Sequence, residues 1–196
     1  VIRGAGATDY FDLVERLDLE GVAANQVAYL LGIRGLILRR VRTFTDPWGV
    51  PKRVMGELLP YAVSHPVRTA ADLDRLRPPD PRRDPVLAAV RATVRRLRGR
   101  RAVVVVVPVD FSASWNLCGM ERLLTSYVDE PGFARRIGAM VLEYGIGLCR
   151  LAVREGADVV VLSDDYAHKT GPLMSPAQFR EFVLPLLAEA VASVRA

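Results

Sequence analysis

The run Ala102 to Val107, Ala-Val-Val-Val-Val-Val closed by Pro108, constrains the fold more than any other feature. A strand with one wet face alternates apolar and polar residues. This one is apolar on both faces and rich in β-branched residues, so it predicts a strand covered on both sides, as in a parallel sheet flanked by helices. The segment before it supplies one cover. Asp84-Pro85 is a cap followed by Pro at the first helical position, apolar residues recur at helical spacing to about Arg98, and Gly99 stops the helix. After the run come two helical stretches, about Gly119 to Val128 and Pro131 to Glu155, the second opened by Asp129 or Glu130. A second apolar strand, Ala157 to Leu162, follows. This order predicts parallel strands joined by right-handed crossovers.

The rest of the chain is read in the same way. Tyr10 to Leu17 and Val22 to Leu31 carry helical periodicity, punctuated by Gly21 and Gly32. Gly35 to Thr45 reads as a strand that leads through the turn Asp46-Pro47-Trp48-Gly49-Val50-Pro51 into a second short strand. Ser64 to Pro85 is a proline-rich connection with one short helix, Ala70 to Leu76, whose Thr69 and Asp72 form a capping box. Asp110 to Asn116 and Ser163 to Met174 read as loops. Ser175-Pro176 caps a helix that continues almost to the terminus.

The expected fold class is therefore α/β, a TIM (β/α)8-type barrel present only in part. About three barrel-type strands can be counted where a closed barrel needs eight. Residues 1–196 read as a single domain lacking its N-terminal start and its closing strands. The longest apolar run is far shorter than the roughly 20 residues of a membrane span, and the N-terminus lacks a signal-peptide pattern, so a cytoplasmic protein without membrane contact is expected. Cys118 and Cys149 have no Cys or His neighbours at metal spacing, which predicts reduced, buried thiols and no metal ligands within this chain. All but two of the 27 basic residues, Lys52 and Lys169, are Arg. The densest basic run, Arg91 to Arg101, sits at a helix C-terminus without interleaved aromatics, which argues against nucleic acid as a partner.

In parallel α/β folds the loops after the strands hold the substrate. The first such loop brings Asp110, Phe111, Ser112, Ser114 and Trp115 together; Trp115 and Phe111 are candidates for the wall around a flat ligand. The second, Ser163 to Gly171, carries Asp164, Asp165, Tyr166 and His168. Adjacent carboxylates at a strand end repel unless a cation or ligand donor sits between them, which suits a poised acid or an anchor for ligand N–H groups. Asp165 is the candidate polar anchor or proton handler, Asp164 the residue orienting it, and His168 a candidate base. Tyr166 and, at the rim, Asp46 complete the candidate substrate-binding set.

At these loops the chain resembles the uroporphyrinogen decarboxylase superfamily, which includes the related cobalamin (corrinoid) methyltransferases. The matches are Thr45-Asp46-Pro47-Trp48-Gly49-Val50; His65-Pro66 with Ala71-Asp72-Leu73-Asp74 and Pro78-Pro79-Asp80-Pro81; Trp115 with Gly119-Met120-Glu121-Arg122-Leu123-Leu124; and Gly156-Ala157-Asp158 leading to Asp164-Asp165, Gly171-Pro172, Ser175-Pro176, Phe179, Phe182-Val183 and Pro185. The resemblance implies a (β/α)8 barrel of which this chain is the middle portion, and a tetrapyrrole-related or methyl-donor small-molecule substrate. Met120 stands where decarboxylases carry a tyrosine, Asp165 where they carry a serine, and their arginine-bearing N-terminal segment has no counterpart. The paired Asp164-Asp165 and the Asp46-Pro47-Trp48-Gly49 turn resemble the methyltransferase-like branch more closely, with decarboxylation in porphyrin biosynthesis as the alternative and a non-catalytic truncated fragment as a second one. For the full-length parent the resemblance implies zinc, held by a His and cysteines beyond Ala196, a corrinoid, and a corrinoid protein as partner. The open barrel edges left by absent strands imply a homo-oligomer.

Overall fold

A computed structural model of the chain describes residues 6–25, 42–54 and 60–195. Its centre is a three-stranded sheet ordered β1 (Gly21–Ala23), β5 (Ala102–Pro108), β6 (Val159–Ser163). Both pairings are parallel: Val22 lies opposite Val103, and β5 and β6 run in register from Val104 and Val159 to Pro108 and Ser163. Between β1 and β5 lie a small antiparallel sheet of β2 (Thr43–Thr45), β3 (Pro51–Arg53) and β4 (Tyr61–Ala62), the short helix α2 (Ala70–Arg75) and the helix α3 (Pro85–Leu97). Between β5 and β6 run α4 (Phe111–Cys118), α5 (Met120–Asp129) and α6 (Pro131–Arg154). The two-residue strands β7 (Ala167–His168) and β8 (Gly171–Pro172) form a hairpin. A final helical segment then passes from α7 (Pro176–Gln178) through one π-type turn, Phe179–Val183, into α8 (Leu184–Arg195). The helix α1 (Tyr10–Arg16) packs beside β1, Val14 meeting Val22 and Leu97.

The parallel α/β architecture expected from the sequence is observed, and the barrel is partial. Three details differ. Val22, the expected start of a helix, lies instead in β1, where its backbone pairs with β5 and its side chain packs with Val14 and Leu97; residues 26–31 of that expected helix, and most of the expected strand from Gly35, fall outside the described residues. The second apolar strand begins at Val159 rather than Ala157. Finally, the expected loop from Asp110 to Asn116 is the helix α4.

The sheet has two unlike faces. Val103, Val105 and Val107 are buried, the latter two under α3 and α6 in a cluster with Val86, Val90, Leu142 and Cys149. Contact there is close: a Cβ on Gly145 of α6 would stand 3.0 Å from Val109 Cγ1 and 3.3 Å from its Cα, so a larger residue would press the helix away from the strand end. On the other face Val104 and Val106 are half-buried, while Val159 and Val161 keep 43% and 41% of their surface exposed. By the two-residue period of a strand these positions share one side, and in a closed barrel that side is the interior.

Beyond Ala23 the side chain of Asn25 takes over the pairing, donating to Val106 O at 2.7 Å and accepting from Val106 N at 2.6 Å. One asparagine thus reproduces a backbone pair at the edge of β5. On the opposite side Asp158 accepts from Val103 N at 2.8 Å and fixes the start of β6.

Candidate active site

The ends of β5 and β6 lie side by side, and Asp164 ties them together. Its carboxylate accepts from the backbone amides of Phe111 at 2.8 Å and Ser112 at 2.7 Å, and from Ser112 Oγ at 2.5 Å. It therefore caps α4 from a different strand, with its negative charge at the positive end of that helix. Asp110, the residue in the capping position, provides no side-chain bond. Asp164 also accepts from the amide of Asp165 at 3.1 Å, which stiffens the turn between the two aspartates.

Asp165 is exposed, and its carboxylate makes no hydrogen bond or ion pair among the described residues. Following the alternation of β6, it belongs with Val159, Val161 and Ser163 on the open face, while Asp164 belongs with Val160 and Leu162 on the helix side. The adjacent carboxylates are thus divided between two tasks: Asp164 holds the scaffold and Asp165 meets whatever occupies the open face.

Phe111 is fully buried, and Tyr166 packs against it at 5.9 Å and against Phe179 at 5.3 Å between ring centroids. The Tyr166 hydroxyl is buried and has no partner in bonding geometry, although it lies near enough to Asp164 for that charge to act on it. Burial, and then the charges of Asp164 and Asp110, push the phenol well above its ordinary range, so it remains a neutral donor. The tyrosine also borders a cavity of about 320 Å³ with Pro172, Met174, Pro176, Phe179 and Arg180.

Of the other candidates, Trp115 shares the apolar cluster of Phe111 and Tyr166, while Asp46 and His168 make their bonds elsewhere. Trp115 is half-buried on α4 against the apolar cluster of Leu117, Leu123 and Ile137, and its indole N–H is buried without an acceptor. Asp46 shapes its own turn, accepting from Trp48 N at 2.9 Å and Val50 N at 3.0 Å and pairing with Lys52 at 3.2 Å. That turn reaches the barrel through Trp48, edge-on to Tyr144 at 5.1 Å, while Tyr144 donates to Asp84 at 2.5 Å. His168 is exposed in the β7–β8 hairpin, its Nδ1 bonded to Thr170 Oγ1 at 2.8 Å. No hydrogen bond or ion pair among the described residues joins Asp46 or His168 to Asp164. The structure therefore groups Phe111, Asp164 and Tyr166, sets Asp165 beside them, packs Trp115 into the same apolar cluster as Phe111 and Tyr166, and leaves Asp46 and His168 in other surroundings.

Sequence reasoning gave no role to Asp110, which belongs to this group. It is 3% exposed, and burial together with the charge of Asp164 pushes it up to about 8. Its position directly after a fully apolar strand is the signal that marks it.

The donor set does not suit zinc. Among the described residues no three of His, Cys, Asp and Glu come together. Cys118 and Cys149 are buried in helices, where burial raises both thiols, to about 12 and about 11. Such thiols are poor metal ligands. No described helix is long and apolar enough to cross a membrane.

Comparison with known proteins identifies the group to which this architecture belongs. The chain is 26% identical over 207 residues to a uroporphyrinogen decarboxylase of Myxococcus xanthus (strain DK1622), covering 97% of this chain and 56% of the relative. It is 25% identical over 190 residues to that of Trichlorobacter lovleyi, covering 90% and 52%. It thus spans about half the length of the curated relatives it matches. Among solved structures, a methyltransferase from Methanosarcina mazei superposes with a TM-score of 0.63 at 19% identity, over 96% of this chain and 60% of that one, a likeness of fold. The family model described as uroporphyrinogen decarboxylase (URO-D) matches residues 53–196, and the chain belongs to that family.

Proposed function

We propose that this chain is part of an enzyme of the methyltransferase-like branch of the family, corrinoid-dependent in its full-length form, with Asp165 as the carboxylate that anchors a small-molecule substrate or handles its proton. The observation that carries the reading is the division of labour between the two aspartates. Asp164 is consumed by α4, so the described residues present one unpaired carboxylate, Asp165, next to an apolar face of Val104, Val106, Val159 and Val161. A floor of that kind fits a small, uncharged or cationic methyl donor better than a tetrapyrrole bearing several carboxylates, which calls for cations. Asp165 would accept a hydrogen bond from the bound donor or take up a proton at its carboxylate oxygens, and Tyr166, kept neutral, supports the loop behind it.

When bound, zinc and a corrinoid would supply thiol activation and methyl carriage; since the residues described here do not form a zinc set, no step is assigned to them. A corrinoid protein is the proposed partner, and a second copy of the chain the proposed cover for the sheet edges. The free, buried cysteines support a reducing compartment, the cytoplasm.

The second reading is decarboxylation of uroporphyrinogen, favoured by the curated relatives. Full-length parent protein supplied with zinc and a methylated corrinoid, assayed for thiol methylation and in parallel for uroporphyrinogen turnover, separates the two. Methylation that falls at least 100-fold in Asp165→Asn, with the melting temperature unchanged, is the expected result. Turnover of uroporphyrinogen alone overturns the order.

A further inference from the structure

Asp110 stands where β5 gives way to α4, with its carboxyl enclosed. Oδ1 lies toward Gly138 of α6, 3.7 Å from where a Cβ would stand there, and Oδ2 is buried without a partner. Asp164, from the end of β6, bonds the amide of the next residue, Phe111, and its charge bears on Asp110, whose own charge in turn bears on Tyr166 in the loop that follows β6 and on Tyr127 of α5. Leu186 of α8 packs against α6 at the same glycine. Among the described residues no cation acts on Asp110: Arg122 of α5 is held by Glu130 and bears on Cys118 instead.

Two carboxylates in such a place cannot both stay ionised without a cation between them. The hydrogen bonds decide which one carries the charge. Asp164 accepts from the amides of Phe111, Ser112 and Asp165 and from the Ser112 hydroxyl. Asp110 has no such donor among the described residues.

We propose that Asp110 and Asp164 act together as a carboxyl pair with one negative charge between them, Asp164 tying α4 to the end of β6 through the amides of Phe111 and Ser112 and Asp110, enclosed beside it without a donor, keeping that junction closed and so positioning the loop bearing Asp165. Raising the pH releases the proton from Asp110 to solvent, places a second negative charge beside Asp164, and loosens that loop. Asp110 is a positioning residue on this account, and the pair operates whichever reaction the full-length enzyme catalyses.

The sign follows from the position of the proton. The native carboxyl binds its proton more tightly than the unfolded one. Its contribution to stability is thus complete below the ordinary carboxylate value of 3.8, declines as pH rises, and stops declining above about 8. Between those limits the folding constant of the native chain should fall up to tenfold per pH unit relative to Asp110→Asn.

Carbon-13 NMR of this chain labelled at the aspartate side-chain carboxyl tests the proposal directly. One carboxyl signal is expected to titrate between about pH 7 and 9 and to vanish in D110N, and the amides of Asp165 and Tyr166 should shift with the same midpoint. Thermal melts at several pH values should give a flatter profile for D110N than for the native chain. If D110N does not fold, the native carboxyl titration decides by itself. An Asp110 signal that titrates below about pH 6, or parallel stability profiles for the two proteins, would overturn the proposal.

Discussion

Asp164 accepts the amide proton of Ser112 at 2.7 Å across 52 residues of sequence, so the helix after β5 is capped by the strand that follows three helices later. The start of α4 and the end of β6 are therefore one unit, and the geometry of the loop that carries Asp165 depends on it.

Removing that carboxylate should be costly. Asp164→Ala takes away a cap and leaves the amides of Phe111 and Ser112 unsatisfied in a partly buried setting, which predicts a loss of about 2–3 kcal/mol. Asp164→Asn keeps one acceptor and should lose about half as much. Chemical denaturation of the two variants measures the difference; equal losses would mean that charge, rather than the hydrogen bonds, makes the contribution.

The edge of β5 offers a second test. The Asn25 side chain gives Val106 the two hydrogen bonds that another strand would provide. Asn25→Ala should cost about 1–3 kcal/mol, since both backbone groups of Val106 are then unpaired. Asn25→Asp keeps the acceptor but loses the donor, leaving Val106 O facing a carboxylate, and should be at least as destabilising near neutral pH. Urea unfolding midpoints compare the three proteins.

How far these relationships could be read in advance depends on where the partner lies. The strand Ala102 to Val107 and the helix from Asp84-Pro85 were legible because their signals are local: a run of β-branched residues in one case, a cap and proline in the other. The helix α4 was not. Phe-Ser-Ala-Ser-Trp-Asn has modest helix propensity, and the capping group comes from Asp164, far along the chain. β1 was misread for a similar reason, since three residues hold a strand only because β5 lies beside them. At the site, the adjacent aspartates were visible as a pair, but their division between scaffold and open face required the register of β6. Asp46 is visible in the sequence as an acid in a turn, and the structure finds one of its oxygens bound to the turn's own amides and the other paired with Lys52.

The two faces of the sheet should respond in opposite ways to substitution. Val105 is fully buried beneath α3 and α6, so Val105→Ala removes two methyl groups from a packed core and should cost about 1.5–3 kcal/mol. Val161 is 41% exposed on the open face. Val161→Thr, which keeps the β-branch, should change the stability of this chain by no more than about 0.5 kcal/mol. In the full-length parent the same change should cost about 1–3 kcal/mol, because a closed barrel would bury the hydroxyl without a partner. Thermal denaturation of both variants in the chain and in the parent gives four shifts in melting temperature. If Val161→Thr destabilises the chain as strongly as the parent, then another part of this chain, or a second copy, already covers that face.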